Sequence, residues 1–263
     1  MKKIKKIIAS FVKNGIIKER IKLFYYNIFS QKGLQFFIED YKNSIYKTIS
    51  NNLVIYSKSP LYFVALDFDY YTHFYKLKKG DVIIDAGANE GYLSVFFSKL
   101  AGAEGRVYAF EPDSYNIKKI NENLELNEDC INSVFIEDKL LWNSDELVDF
   151  CESGTVGSSA IWISDQSKVV KKQAITIDSW AKQNNLTKLD FIKMDIEGAE
   201  IEALDGCVET IAKFKPNFAI ASYHIVNEKP TYIAVEAFFK KLNYPYKTIT
   251  HNKFEIITYA GEL

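Results

Sequence analysis

Asp85, Gly87, Asn89 and Gly91 stand close together in Asp-Ala-Gly-Ala-Asn-Glu-Gly, directly after the apolar run Val82–Ile84. Glycines at such a place let the chain turn sharply and let a ligand approach the backbone without a Cβ in the way. The helical pattern that follows would aim its first amides at that ligand. A leading carboxylate repels a pyrophosphate and attracts an ammonium or a sulfonium. The G-x-G-x-x-G dinucleotide pattern is not matched. Glu111 ends the next apolar run, "RVYAFEP", where an acid accepts the two hydroxyls of a ribose. These residues point to a nucleoside with a cationic amino-acid end.

Asp195, Glu197 and His224 form the second group. They end two later apolar runs, "LDFIKMDIEG" and "PNFAIASYH". A base within hydrogen-bond reach of a hydroxyl removes its proton as a new bond to oxygen forms, and histidine titrates in the useful range. Asp195 and Glu197 have another reading, as cap and first-turn acid of the helix that follows. Two carboxylates of this kind also suit a divalent ion.

Elements must position these groups. "VIID" (82–85) reads as a strand, "YLSVFFSKLAGAE" (92–104) as a helix and "RVYAFEP" (106–112) as a second strand. "DSYNIKKINENLELN" (113–127) reads as a helix capped by Asp113, and "NSVFIED" (132–138) as a third strand. Residues 139–180 break the rhythm, with "ELVDFCES" and "VVKKQAITI" as edge or hairpin strands around the loop "GTVGSSAIW" (154–162). Strand and helix then alternate again, and "YKTITHN" and "FEIITYA" close the chain as an antiparallel pair. Alternation of this kind predicts an α/β domain with a parallel sheet and right-handed crossovers. Residues 1–75 read as an N-terminal helical extension, ahead of a main domain over residues 76–263.

The 263 residues are 48% hydrophobic and 25% charged, an ordinary globular composition. A net charge of −1 gives the molecule no electrostatic footprint for nucleic acid. Cys130, Cys151 and Cys207 are scattered singly, without zinc-site spacing, and are expected free and reduced in a cytoplasmic protein. Residues 2–22 differ, with eight basic residues against the single Glu19. Apolar residues at helical spacing run between those lysines. Such a basic amphipathic helix suits the anionic inner face of a membrane, or packs on the domain or on another subunit of an oligomer.

The glycine turn resembles the S-adenosylmethionine site of a class I methyltransferase. The likeness extends through "VIIDAGANEGYLSVFF", "LWNSDE", "GSSA", "AITIDSW", "LDFIKMDIEGAEIEALDG" and "FKPNFAIASYH". Over roughly residues 78–259 the chain resembles the FkbM family, most specifically in K-x-D-x-E-G-A-E at 193–200. The resemblance implies a Rossmann-like, mostly parallel seven-stranded sheet with helices on both faces. It implies S-adenosylmethionine-dependent O-methylation of a sugar hydroxyl in a glycan, a glycolipid or a capsule or lipopolysaccharide precursor, or of a natural-product hydroxyl. Asp85, Gly87, Asn89 and Gly91, with Ala88 and Tyr92 beside them, match the part that holds the methionine end. Glu111 matches the ribose acid, with Pro112 next to it, and Asp138 falls where the third strand borders the adenine. Asp195, Glu197 and His224 match the polar residues facing the transferred methyl group, and Ser158 and Ser159 match a small-residue loop near the substrate. One departure stands out: many members carry a Glu before the final strand's His, where this chain has Ala221-Ser222-Tyr223-His224.

Three alternatives have discriminating features. A dehydrogenase would need the third glycine. A nucleic-acid amino-methyltransferase would often carry Asn/Asp-Pro-Pro-aromatic where this chain has Asp195-Ile-Glu-Gly198. A non-catalytic cofactor-binding module would have no need of intact site acids.

Overall fold

The structure is a computed structural model that describes residues 15–29, 33–154, 158–163, 165–251 and 255–263. It divides into two compact units, Met1–Leu66 and Asp67–Leu263.

In the first unit, helix α1 (Ile16–Phe29) precedes three strands, β1 (Leu34–Asp40), β2 (Ile45–Ser50) and β3 (Leu53–Ser57), paired as an antiparallel meander. The Asn27 side chain fastens the helix to the meander, donating to Phe36 O and accepting from Phe36 N. The N-terminal helix is therefore present, but the helical extension expected over 1–75 contains a sheet. The reason is visible in β2, where "IYKTIS" buries every second residue, the period of a strand rather than a helix. Residues 1–14, which hold most of the basic run, lie outside the described residues. No described helix is long and apolar enough to cross a membrane.

Helix α2 (Val64–Tyr71) leads toward the larger unit, where the order is β4 (Val82–Ala86), α3 (Tyr92–Ala101), β5 (Arg106–Phe110), α4 (Ser114–Glu125) and β6 (Val134–Glu137). A side sheet follows, of β7 (Leu140–Leu141), β8 (Leu147–Cys151) and β9 (Val169–Ile175), with β8 and β9 antiparallel as their sequences suggest. Next come α5 (Ile177–Gln183), β10 (Phe191–Met194), α6 (Glu200–Asp205), α7 (Val208–Phe214) and β11 (Asn217–Ala221). The chain closes with the short hairpin β12 (Ile225–Val226) and β13 (Lys229–Pro230), then α8 (Tyr232–Lys241), β14 (Tyr246–Thr250) and β15 (Ile256–Ala260).

The main sheet has seven strands in the order β14-β15-β11-β10-β4-β5-β6. Strands β6, β5, β4, β10 and β11 run parallel, and β15 is antiparallel to both its neighbours. Both faces are covered, which is why the strands read as continuous apolar runs. Ile84, Ala86, Phe110, Ile192, Met194, Phe218 and Ile220 share a core with Trp180 of α5, Leu204 of α6, Ile211 of α7 and Phe239 of α8. Residues of the other register face α3, where Phe97 meets Phe191 edge-on. Cys130, Cys151 and Cys207 are all free and buried.

Strand order reverses at β4, whose neighbours are β5 and β10. An open parallel sheet binds its ligand beyond the strand ends at such a point.

Candidate active site

The β4 carboxyl end carries Asp85, whose side chain is fully buried. It stands beside Lys193, its register partner on β10, with Oδ1 3.0 Å from Lys193 Nζ. Ser94 of α3 donates to its Oδ2 at 2.6 Å. The Lys193 ammonium also donates to the carbonyls of Ala86, at 3.1 Å, and Gly87, at 2.7 Å. Burial disfavours the lysine cation, but the charges of Asp85 and Asp195 outweigh it and raise the pKa above its ordinary value. Asp85 therefore does not present a free anion to a ligand. It lies under the turn, outside the lining of the cleft, and acts by fixing the turn through Lys193. The sequence expectation of direct attraction to a cationic ligand is corrected by this pairing.

The turn itself depends on Gly87, at φ +75°. A Cβ there would stand 1.9 Å from the Asp195 carbonyl oxygen, so the backbones of β4 and β10 meet at a point that admits no side chain. The amides of Gly87 and Ala88 both donate to Phe110 O. Asn89 takes a left-handed conformation and donates its backbone N–H to Glu111 Oε2 at 2.7 Å. Gly91, also left-handed, opens α3. Ala88 and Tyr92 are buried behind the turn, the Tyr92 hydroxyl bonded to Glu90.

Beyond these strand ends lies a cleft with about 690 Å³ of empty space, open to solvent. Gly87, Asn89, Glu111 and Pro112 are among its lining residues. Glu111 is 5% exposed and accepts from the amides of Asn89 and Asp113. Burial pushes its pKa up to about 7, against these hydrogen bonds and one from the Asn116 side chain. Asn116, in the first turn of α4, also lines the cleft, and its Oδ1 is buried without a hydrogen-bond partner among the described residues. Leu140, Leu141, Phe150 and Phe110 add apolar wall. An acid, an orphaned amide oxygen and a flat apolar wall suit the ribose and base of a nucleoside, so the cleft fits S-adenosylmethionine. Asp138 points elsewhere: it is exposed and pairs with Lys172, and the adjoining Lys139 and Leu140 reach the cleft instead.

Ser158 and Ser159 line the same cleft. Their hydroxyls serve the protein. Ser158 donates to Asp113 Oδ2, the same carboxylate whose Oδ1 caps α4. Ser159 donates to Glu197 O at 3.2 Å. The loop thus latches the α4 cap to the turn after β10.

Asp195, Ile196, Glu197 and Ala199 line the same cleft, with Asp195 close against Gly87. Asp195 accepts from the Tyr71 hydroxyl at 2.9 Å through Oδ2. Tyr71 falls within the stretch expected to belong to the extension, and the unit boundary at 66/67 places it with the sheet instead. Glu197 sits at φ +55°, a conformation uncommon outside glycine. Burial first, then the Asp195 charge, raise its pKa to about 7. His224 is 6% exposed, with Nε2 3.6 Å from both Asp195 Oδ1 and Glu197 Oε2. Its Nδ1 lies 3.1 Å from Glu200 Oε1. Burial disfavours the imidazolium, but the Glu200 hydrogen bond and the surrounding carboxylates raise its pKa to about 9. Glu200, fully buried, also accepts from the amides of Ile196 and Gly198. Lys193, Glu200, Asn116 and Tyr71 were not singled out as site residues from the sequence, although Lys193 and Glu200 bound the K-x-D-x-E-G-A-E block.

Two outcomes follow. Gly87→Ala forces a Cβ into the Asp195 carbonyl at a left-handed position, so urea unfolding should show a loss of more than about 2 kcal/mol. The second concerns Glu111. Its folded pKa is raised, so its protonated form stabilises the ligand-free protein at low pH, and that stability is lost as pH rises through about 7. Ribose hydroxyls donate to the ionised form. Calorimetry with S-adenosylhomocysteine should therefore show affinity rising from about pH 6 to about pH 8, by at most about tenfold per unit. Glu111→Gln should weaken binding and flatten that component of the profile.

Residues 85–246 match the family described as Methyltransferase FkbM domain, which is more than half of the chain. The chain is 27% identical over 156 residues to the 2-O-methyltransferase NoeI of Sinorhizobium fredii, covering 52% of this chain and 62% of that relative. The crystal structure of methyltransferase FkbM from Methylobacillus flagellatus KT superposes with a TM-score of 0.52 at 19% identity, over 68% of this chain and 43% of that one. A SAM-dependent methyltransferase from Aquifex aeolicus covers 76% of this chain and 88% of its own, at 16% identity and a TM-score of 0.45. The matched region thus spans less than two thirds of both the NoeI and the Methylobacillus proteins. The chain belongs to the FkbM family of S-adenosylmethionine-dependent methyltransferases.

Proposed function

We infer that this chain transfers a methyl group to a hydroxyl oxygen of a sugar, in a glycan, a glycolipid or a precursor of either. The observation that carries the reading is a single cleft lined both by Glu111 and by Asp195 and Glu197. When bound, S-adenosylmethionine supplies an electrophilic methyl group on its sulfonium. Glu111 and Asn116 hold the nucleoside, and the turn held by Lys193 sets the height of the methionine part.

Asp195 and Glu197 suit an oxygen acceptor. A sugar hydroxyl is a weak nucleophile while protonated, and the Asp195 and Glu197 carboxylates offer oxygens to take its proton. Positioning adds more, since holding the acceptor oxygen in line with the methyl carbon removes most of the entropic barrier. Asp195-Ile196-Glu197-Gly198 lacks the proline pair of many amino-methylating enzymes. Trp162 is 38% exposed, its ring 5.9 Å from that of His224, and it packs where a Cβ on Gly198 would fall. An aromatic face beside carboxylates suits a sugar, which offers C–H faces and a hydroxyl rim. NoeI, a 2-O-methyltransferase by name, gives the oxygen acceptor further support. A natural-product hydroxyl is the second acceptor class that the same geometry accommodates.

The test uses labelled methyl donor with nucleotide sugars, surface glycans, natural-product polyols and RNA. Label should enter an oxygen of the sugar class. Asp195→Asn should lower kcat by about 10²–10⁴-fold with donor affinity retained. Trp162→Ala should raise the acceptor KM and leave donor binding unchanged. Label entering nitrogen or nucleic acid would overturn the reading.

A further inference from the structure

We propose that Asp195, Glu197 and His224 form a binding site for one divalent cation of the Mn²⁺ type, with Glu200 as the outer residue that orients His224. One donor atom from each of the three lies within 4.8 Å of the others. This deepens the O-methyl-transfer reading and rests on it for one point: the ion's remaining positions would take oxygens of the acceptor.

The geometry is that of a cation site rather than of ion pairs already made. His224 is 6% exposed, yet neither of its ring nitrogens meets hydrogen-bond geometry with a partner among the described residues. Its Nε2 faces Asp195 Oδ1 and Glu197 Oε2, each at 3.6 Å. A charge-assisted N–H···O contact closes to about 2.7–2.9 Å, so an imidazolium donating to either acid would draw nearer. Atoms about 2.1 Å from a shared ion stand about 3 Å apart when adjacent and about 4.2 Å when opposite, in the octahedral geometry of small divalent ions. The observed 3.6 Å separations lie between these two values, so a bound ion would draw the ligands by a few tenths of an ångström.

Each ligand is held so that one atom remains free. Tyr71 occupies Asp195 Oδ2, and Asp195 Oδ1 is buried without a hydrogen bond among the described residues. Glu200 lies 3.1 Å away on the Nδ1 side of His224, so Nε2 is the nitrogen that faces the cluster and the one whose proton a bound ion would displace, as in histidines oriented for metal by an outer carboxylate. The left-handed turn at Glu197 places its carboxylate in the same group. Negative charge is in surplus nearby. Burial and the Asp195 charge both push Asp67 up to about 7, and both raise Glu255. Lys193 is already committed to Asp85. Two carboxylates and one imidazole suit Mn²⁺, which accepts both donor types and keeps open positions for further oxygens. There, a bound hydroxyl pair would be polarised and aligned before transfer.

The test titrates the purified full chain with Mn²⁺ alone, following the free-ion electron paramagnetic resonance signal. S-adenosylhomocysteine binding is measured by calorimetry on the same preparation. One Mn²⁺ per chain is expected. Glu197→Gln, which keeps the side-chain shape, and His224→Gln should each abolish or strongly weaken uptake. Glu200→Gln should weaken it by about 10–100-fold. Retained S-adenosylhomocysteine affinity would show that each variant is folded. Absence of Mn²⁺ uptake, or uptake unchanged in Glu197→Gln and His224→Gln, overturns the cation site. Uptake of S-adenosylhomocysteine without Mn²⁺ removes the ion and leaves the methyl-transfer reading in place. Mn²⁺ uptake without S-adenosylhomocysteine does the reverse.

Discussion

Lys193 and Asp85 form a fully buried ion pair, and the architecture of the cleft follows from it. Neither side chain is more than 3% exposed. Withdrawing two charges from water is expensive, and the pair offsets that only because every remaining donor and acceptor finds work. Ser94 takes the second oxygen of Asp85, and the lysine's other hydrogens go to the Ala86 and Gly87 carbonyls. One ammonium thus ties the glycine turn after β4 to strand β10. Breaking such a pair by removing one partner costs about 3–5 kcal/mol, a large part of the about 5–15 kcal/mol that holds a domain folded. The glycine turn after β4 and the strand end that carries Asp195 therefore keep a fixed relation.

The K-x-D-x-E-G-A-E spacing is explained by where each residue points. Lys193 is in the strand and reaches toward α3 and Asp85. Asp195 emerges at the tip, its amide bonded to Ala86 O and its carboxylate free to enter the cleft. Glu197 and Gly198 both take left-handed conformations, and the chain reverses into α6. Gly198 leaves space that Trp162 and Val226 approach closely. Glu200 then folds back under the turn, accepting from two of its amides while it orients His224. Four charged residues within eight positions serve three tasks: one supports the glycine turn, two line the cleft, and one holds the frame.

Much of this was legible in the sequence because it is local. The strands announce themselves as apolar runs, Gly87 and Gly91 mark a turn that needs positive φ, and Glu111 sits at a strand tip that topology alone assigns to a ribose. What depended on distant pairing was hidden. Asp85 reads as a free anion until the β4–β10 register puts Lys193 beside it. Asn116 looks like any helix-face amide until α4 docks over the cleft. Asp138 is one residue from a strand end, yet it turns outward to Lys172 while Lys139 and Leu140 turn in. The meander at 34–57 is harder to read because its strands are covered on one face, so polar residues alternate with apolar ones in place of the continuous apolar runs of the main sheet.

The central claim is that Asp85 and Lys193 act as one unit that holds the donor turn to β10. A double-mutant cycle with Asp85→Asn, Lys193→Met and the combined variant, read by urea unfolding, measures it directly. The account predicts strong non-additivity, with a coupling of about 1–3 kcal/mol and the double variant more stable than the two single losses sum to. Losses that add within about 0.5 kcal/mol would contradict it.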